Sequence, residues 1–244
     1  IAVIAPVVGL VAAPTITLVL SLSGTRQLFM LLALLNLAPI AFALRGSPPA
    51  MTARITRRRH AANRPALALL ACLFGTALGG SSLSAYVAVI GRDMNGMSAL
   101  AVSLAFSVNA AAGIPSARWR RQRRWAGAWV ALTGLGVLGI GLVAEPWMFW
   151  IGMAVWGFGY WMGVPGAFEL LAARSTYPSE RAGDAQSVMS AARVIGPVIG
   201  GVMFSHSTKL LGIVAAGLIF IAAALMGYVE WRVQRPATPV IATV

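Results

Sequence analysis

Two charged side chains of this sequence lie inside or at the edge of long apolar stretches, where ionisable groups are rare. They are Glu169 and Arg193. A charge in an apolar membrane helix is a functional hypothesis by default, and it needs a partner. We expect Glu169 and Arg193 to form an ion pair that closes the cytoplasmic ends of two helices. Such a pair would be a structural contact and a gate at once.

Polar and aromatic side chains within the apolar stretches could line a path for a solute. Ser103 and Ser107 are four residues apart, so they would share one face of a helix. The candidates for the path are Ser84, Ser103, Ser107, Tyr160 and Trp161. For the serines the alternative is packing, because small and hydroxyl-bearing residues also join neighbouring membrane helices.

Enzymatic chemistry needs side chains that this chain barely contains. Its two histidines, His60 and His206, are assigned to opposite sides of a membrane by the topology described below, and its one cysteine, Cys72, lies in an apolar run. They cannot supply a nucleophile with its base, or a group of metal ligands, near the bilayer. We therefore predict no enzymatic activity, no cofactor and no metal site.

The elements that carry these residues are predicted to be membrane helices. Of the 244 residues, 59% are hydrophobic and 10% are charged, with a mean hydropathy of +0.80, whereas about a quarter of a soluble domain is charged. A spanning helix needs about 20 mostly apolar residues. This rule predicts an all-α integral membrane protein, a polytopic bundle of about eight helices. The predicted spans are Ile1–Leu22, Leu28–Leu44, Pro65–Ile90, Met97–Ile114, Trp125–Ala144, Trp147–Ala173, Ala185–Phe204 and Leu210–Trp231.

The basic residues fix the orientation of these spans. Sixteen of the 19 Lys and Arg fall in breaks on one side, and only Arg26, Arg92 and Lys209 fall on the other. By the positive-inside rule the rich side is cytoplasmic, which places both ends of the chain there. We therefore attribute the net charge of +13 to membrane topology in a cell inner membrane and not to nucleic-acid binding.

The longest break, residues 45–65, divides two predicted helices from six. Its Pro, Gly and Arg content is typical of a solvated cytoplasmic linker. The predicted organisation is therefore a helix pair in 1–44, the linker in 45–65, a six-helix half in 66–235 and a tail in 236–244. Val3–Val11 and Val194–Val202 repeat one pattern of Val, Ile, Pro and Gly, and internal repeats are common in transporters.

Three local motifs, with this topology, resemble the major facilitator superfamily of secondary transporters. The turn after the fourth span is similar to the family's cytoplasmic G-x-x-x-D-R-x-G-R-R motif through Gly113, Arg118, Trp119 and Arg121. The stretch from Glu180 to Gly183 is similar to the family's E-R-G segment. The helix-packing motif G-P-x-x-G-G is resembled by Pro6, Gly9, Gly196, Pro197, Gly200 and Gly201.

The resemblance implies that the eight spans correspond to the last eight of twelve helices, with the first four absent from this chain. It further implies alternating access for a small solute, with possible proton coupling, in a protein that is a monomer when full length. Aromatic residues and scarce charge favour export of a drug-like or amphipathic compound over transport of a sugar or an anion. The alternative is a non-transporting or truncated membrane scaffold.

Overall fold

The computed structural model describes residues 4–27, 30, 33–34, 37, 60–116, 119, 124–175 and 177–234. Within these ranges the chain forms helices and no strands, which confirms the all-α membrane fold. The main helices are α1 (Ile4–Ser23), α2 (Arg64–Ser84), α3 (Ala99–Ala111), α4 (Ala126–Leu142), α5 (Pro146–Ala173), α6 (Pro178–His206) and α7 (Thr208–Gln234). Seven of the eight predicted spans coincide with these helices. The remaining span, Leu28–Leu44, and most of the linker fall largely outside the described residues.

Four of the described helices are long and apolar enough to cross a membrane. They are Arg64–Ser84, Ala99–Ser116, Pro178–His206 and Thr208–Arg232, and the last has a hydropathy of 2.5. Leu10–Leu22 and Ala126–Leu142 are shorter apolar helices. The chain is thus a multi-pass protein embedded in the membrane.

Several helices begin at residues that suit a first turn. The side chain of Asn63 accepts a hydrogen bond of 3.0 Å from the Ala66 amide at the start of α2, and Ser98 does the same for Ala101, at 3.1 Å, at the start of α3. Both interactions satisfy amides that have no partner within the helix. Helices α5 and α6 begin with Pro146 and Pro178, where the missing N–H costs nothing.

Two of the predicted boundaries differ from the structure by more than a few residues. The span predicted as Pro65–Ile90 ends as an α-helix at Ser84 and continues as a helical turn, Val87–Val89, and a π-turn, Ile90–Met94. The side chain of Asn95 donates to the carbonyl of Ile90, which closes this segment. Helix α6 starts before the predicted Ala185, because ion pairs satisfy the polar residues of its first two turns.

Helix α7 is central to the packing of the last six helices, with α2 on one side and α4 on the other. Helix α2 also packs against α6, α4 packs against α5, and α3 lies between α5 and α1. Glycine allows the closest crossings: a Cβ at Gly212 of α7 would lie 2.6 Å from the Cα of Gly141 in α4. Such backbone contact is usual between membrane helices, because small residues at the crossing allow the two backbones to approach closely.

Candidate functional site

A cavity of about 230 Å³ lies between α2, α3, α5 and α6. Its polar lining residues are Thr76, Ser81, Ser84, Asn109, Tyr160 and Arg193, and Ala77, Gly80 and Trp156 complete it. Tyr160 lies near the midpoint of α5, a helix of 28 residues. Arg193 lies eight residues beyond Ala185, about 12 Å along α6 from the end of its polar first turns. The cavity therefore lies along the middle of α5 and α6, away from their ends.

The guanidinium of Arg193 contacts a phenol in this cavity. Its Nη2 donates to the Oη of Tyr160 over 3.1 Å. The ion pairs between described residues involve His60, Glu180, Arg181 and Asp184 only. The contact that the structure describes for Arg193 is thus a phenol and not Glu169, which is nine residues, about 13 Å, farther along α5 than Tyr160.

Hydrogen bonds across helix pairs hold the cavity walls. The hydroxyl of Ser81 in α2 donates to the carbonyl of Ala192 in α6 over 3.1 Å. The amide of Asn109 in α3 donates to the carbonyl of Met153 in α5 over 2.9 Å. A helix carbonyl that accepts a second bond from a neighbouring helix fixes the relative height of the two helices. The wall is therefore held in register where the polar side chains meet.

The glycines of the packing motif in α6, Gly196, Gly200 and Gly201, lie against α2 and the residues that follow it, and Gly196 lies against Ser81 of the cavity. A Cβ at Gly196 would clash with the hydroxyl of Ser81, and one at Gly200 would clash with the carbonyl of Ser82. The hydroxyl of Tyr86 donates to the carbonyl of Pro197 over 3.1 Å, and a Cβ at Gly201 would lie 2.7 Å from that hydroxyl. Pro6 and Gly9, in the first copy of the motif, lie in α1, at positions whose side chains fall outside the described set.

The five path candidates do not share one site. Ser84 and Tyr160 line the cavity, whereas Ser103 lines a second, mostly apolar cavity of about 400 Å³ beside α1. The hydroxyl of Ser107 donates to the carbonyl of Leu10 over 2.6 Å, so it joins α3 to α1. Trp161 packs against Gly113, where a Cβ would lie 2.5 Å from its ring.

Of the cytoplasmic motif, the structure describes Gly113 and Trp119, and Arg118 and Arg121 lie outside the described residues. Gly113 opens a helical turn, Gly113–Ser116, against α5. The ring of Trp119 meets Phe158 of α5 edge to face, with centroids 5.6 Å apart. Both described residues thus join this turn to α5, the helix that also carries Tyr160.

The sequence interpretation missed several functional candidates. Four residues line the cavity although they are not among the predicted path residues: Thr76, Ser81, Asn109 and Trp156. The signal that could have found Ser81 is its position in the G-G-S-S run of α2, since glycine marks the faces where helices approach closely.

Glu230 is a second missed residue, a carboxylate inside the last apolar span. It is only 9% exposed. Its two oxygens lie 3.3 and 3.4 Å from the backbone nitrogen of Gly127, in the first turn of α4. The residue before α4, Trp125, makes no side-chain cap. Glu230 of α7 thus supplies the anionic cap that α4 does not provide for itself.

The segment that leads into α2 is fastened to the start of α6. The His60 ring stacks on Tyr177 with centroids 3.7 Å apart, and its Nδ1 lies 3.2 Å from Glu180 Oε1. Arg181, which is 4% exposed, donates to the carbonyl of His60 over 2.5 Å and pairs with Asp184 at 2.6 Å. These contacts join the start of α2 to the start of α6 at one end of the bundle.

Comparison with known proteins agrees with this architecture. The family model described as Major Facilitator Superfamily matches residues 1–201. No curated protein matches the sequence significantly. The matched region contains every residue that lines the 230 Å³ cavity. The chain therefore belongs to the Major Facilitator Superfamily and is a membrane transport protein.

Proposed function

We propose that this protein moves a small amphipathic solute across the cell inner membrane by alternating access, with the solute bound in the 230 Å³ cavity. The observation that carries the proposal is the convergence of polar side chains from four helices on one cavity. Intramembrane polar and charged groups are costly and commonly mark substrate pathways. The volume is below the range of about 300–1,000 Å³ typical of ligand pockets, which favours a small solute.

The packing of α6 supports a moving wall. Gly196 and Gly200 bring the backbone of α6 against α2 without intervening side chains. Pro197 has no N–H to donate to the carbonyl of Arg193, four residues earlier, so α6 is easy to bend beside the cavity. Close packing with few interlocking side chains allows two helices to slide, which rocking of one bundle against another requires.

The aromatic lining favours a solute with an apolar body. Trp156 and Tyr160 offer ring surfaces next to the polar groups of the cavity. We propose export of such compounds by a protein that is a monomer when full length. If transport is coupled to protons, a carboxylate within an apolar helix must bind and release the proton. Within the described helices, Glu169 of α5 and Glu230 of α7 are our candidates for that carboxylate.

The test is transport by the full chain in proteoliposomes, using a panel of hydrophobic cations, neutral aromatic compounds and aromatic acids. Ser84→Trp would place a large ring in the cavity, and we expect it to reduce transport at least tenfold. Ser205→Trp is the matched control, because Ser205 is also exposed and also donates to a carbonyl three residues earlier, but at the end of α6. Transport that survives Ser84→Trp would refute this binding site. No transport of any compound would favour the membrane scaffold.

A further inference from the structure

The described lining of the cavity between α2, α3, α5 and α6 has one permanently charged group, and that group is a cation. Arg193 is the only Lys, Arg, Asp or Glu among its described lining residues. All six carboxylates of the chain lie in described ranges, and no ion pair joins one of them to Arg193. Its described partner is the neutral hydroxyl of Tyr160. The described residues therefore leave the positive charge of the cavity without a counter-ion.

Only the end of the cavity at Arg193 presents hydrogen-bond donors that suit an anion. Arg193 has five N–H donors in a planar fork that matches a carboxylate. The hydroxyls of Thr76, Ser81 and Ser84 donate to backbone carbonyls instead, so they present acceptor oxygens to the cavity. The strong donors are thus concentrated at Arg193, and a bound anionic group is most favourable there.

The rest of the cavity suits a flat apolar body. A Cβ at Gly80 would lie 3.9 Å from the ring of Trp156, so this ring lies over the glycine and not over a bulky side chain. Tyr160 supplies a second ring, and Ala77 adds a small apolar surface. With one guanidinium and no second cation among the described lining residues, the site offers compensation for a single negative charge.

We infer that the solute is an amphipathic organic monoanion, an aromatic acid whose carboxylate binds Arg193 and whose ring lies against Trp156. This inference rests on the proposed function and specifies its substrate class. It revises the sequence-based preference for an amphipathic compound over an anion, because Arg193 lines the cavity and its described partner there is a phenol.

The test compares three probes that share one ring system and differ in charge. Naphthylacetate, naphthylacetamide and naphthylethylamine are titrated against the purified full chain in lipid nanodiscs, with tryptophan fluorescence and calorimetry as readouts. We expect the acid to bind at least tenfold more tightly than the amide, and the amine to bind most weakly. Arg193→Gln should reduce the acid-to-amide ratio to about one while changing amide affinity less than threefold, and Arg193→Lys should keep part of the preference.

Arg232→Gln is the matched control, since Arg232 lies at the end of α7 over the ring of Tyr228 and outside the cavity; it should leave the ratio unchanged. Equal binding of acid and amide by the wild type, or an unchanged ratio in Arg193→Gln, would overturn the inference. The proposed function would still stand if the neutral probe were transported and Ser84→Trp blocked it. Failure of all three probes to bind the wild type would overturn the inference as well.

Discussion

Replacing Glu230 tests whether α7 caps α4. In the structure both oxygens of Glu230 accept from the Gly127 amide, at 3.3 and 3.4 Å. Glu230→Ala leaves this buried N–H without its acceptor, which costs about 1–3 kcal/mol. It also removes a negative charge from a helix N-terminus, which is worth about 0.3–1 kcal/mol and more when partly buried. Part of this is offset, because a buried carboxylate no longer has to be desolvated.

The expected net loss for Glu230→Ala is therefore about 2 kcal/mol of unfolding free energy. Glu230→Gln keeps an acceptor oxygen of the same size but not the charge, and we expect it to lose about 1 kcal/mol. The measurement is reversible unfolding in mixed detergent micelles, followed by helical circular dichroism.

Glu145→Ala is the control for this series. Glu145 is also a carboxylate next to the start of a helix, since it directly precedes α5. It is exposed, however, and its side chain makes no cap hydrogen bond. Its replacement should change the unfolding free energy by less than about 0.5 kcal/mol. Equal losses in Glu230→Ala and Glu145→Ala would refute the capping argument, since they would show that burial and hydrogen bonding at Glu230 contribute nothing.

Two further substitutions test the helix contacts in the same assay. Gly200→Ala should lose about 1–3 kcal/mol of unfolding free energy by overpacking, because the new methyl group meets the Ser82 carbonyl. Gly183→Ala is its control: a Cβ at Gly183 has nothing within 4 Å, so this change should be neutral or gain up to about 1 kcal/mol. Equal effects of the two substitutions would contradict the close contact at Gly200. Arg181→Gln should lose about 3–5 kcal/mol by removing the buried 2.6 Å ion pair with Asp184, and Arg181→Lys should recover part of it. A loss below 1 kcal/mol in Arg181→Gln would contradict this.

Hydropathy predicted most of the helices because a membrane sets their length. The span predicted as Trp147–Ala173 differs from α5 by one residue at its start. The rule fails where polar residues belong to a helix: α6 begins at Pro178, seven residues before the predicted start, since its ion pairs replace solvation by water. Composition alone does not contain that information.

The sequence predicted the site less well than the helices. When nearly every residue of a helix is apolar, the sequence does not indicate which face of that helix lies toward which neighbour. Ser84 and Ser103 have similar surroundings in the sequence, yet they line different cavities. Glu230 was overlooked since its partner is a backbone amide, and no pattern of side chains indicates such a contact. Arg193 was recognised as exceptional by its charge, but its contact with Tyr160 depends on how α5 and α6 pack together.

The position of Arg193 depends on the packing motif, since Gly196 follows Arg193 by three residues and lies on the same side of α6. Gly196 lies against Ser81, whose hydroxyl bonds to Ala192, so a shift of α6 along α2 must break that bond and move Arg193 relative to the cavity. A solute bound to Arg193 has different contacts before and after such a shift. If a solute binds Arg193 as proposed, we expect it to favour one position of α6, and by linkage the position of α6 should set the affinity for the solute.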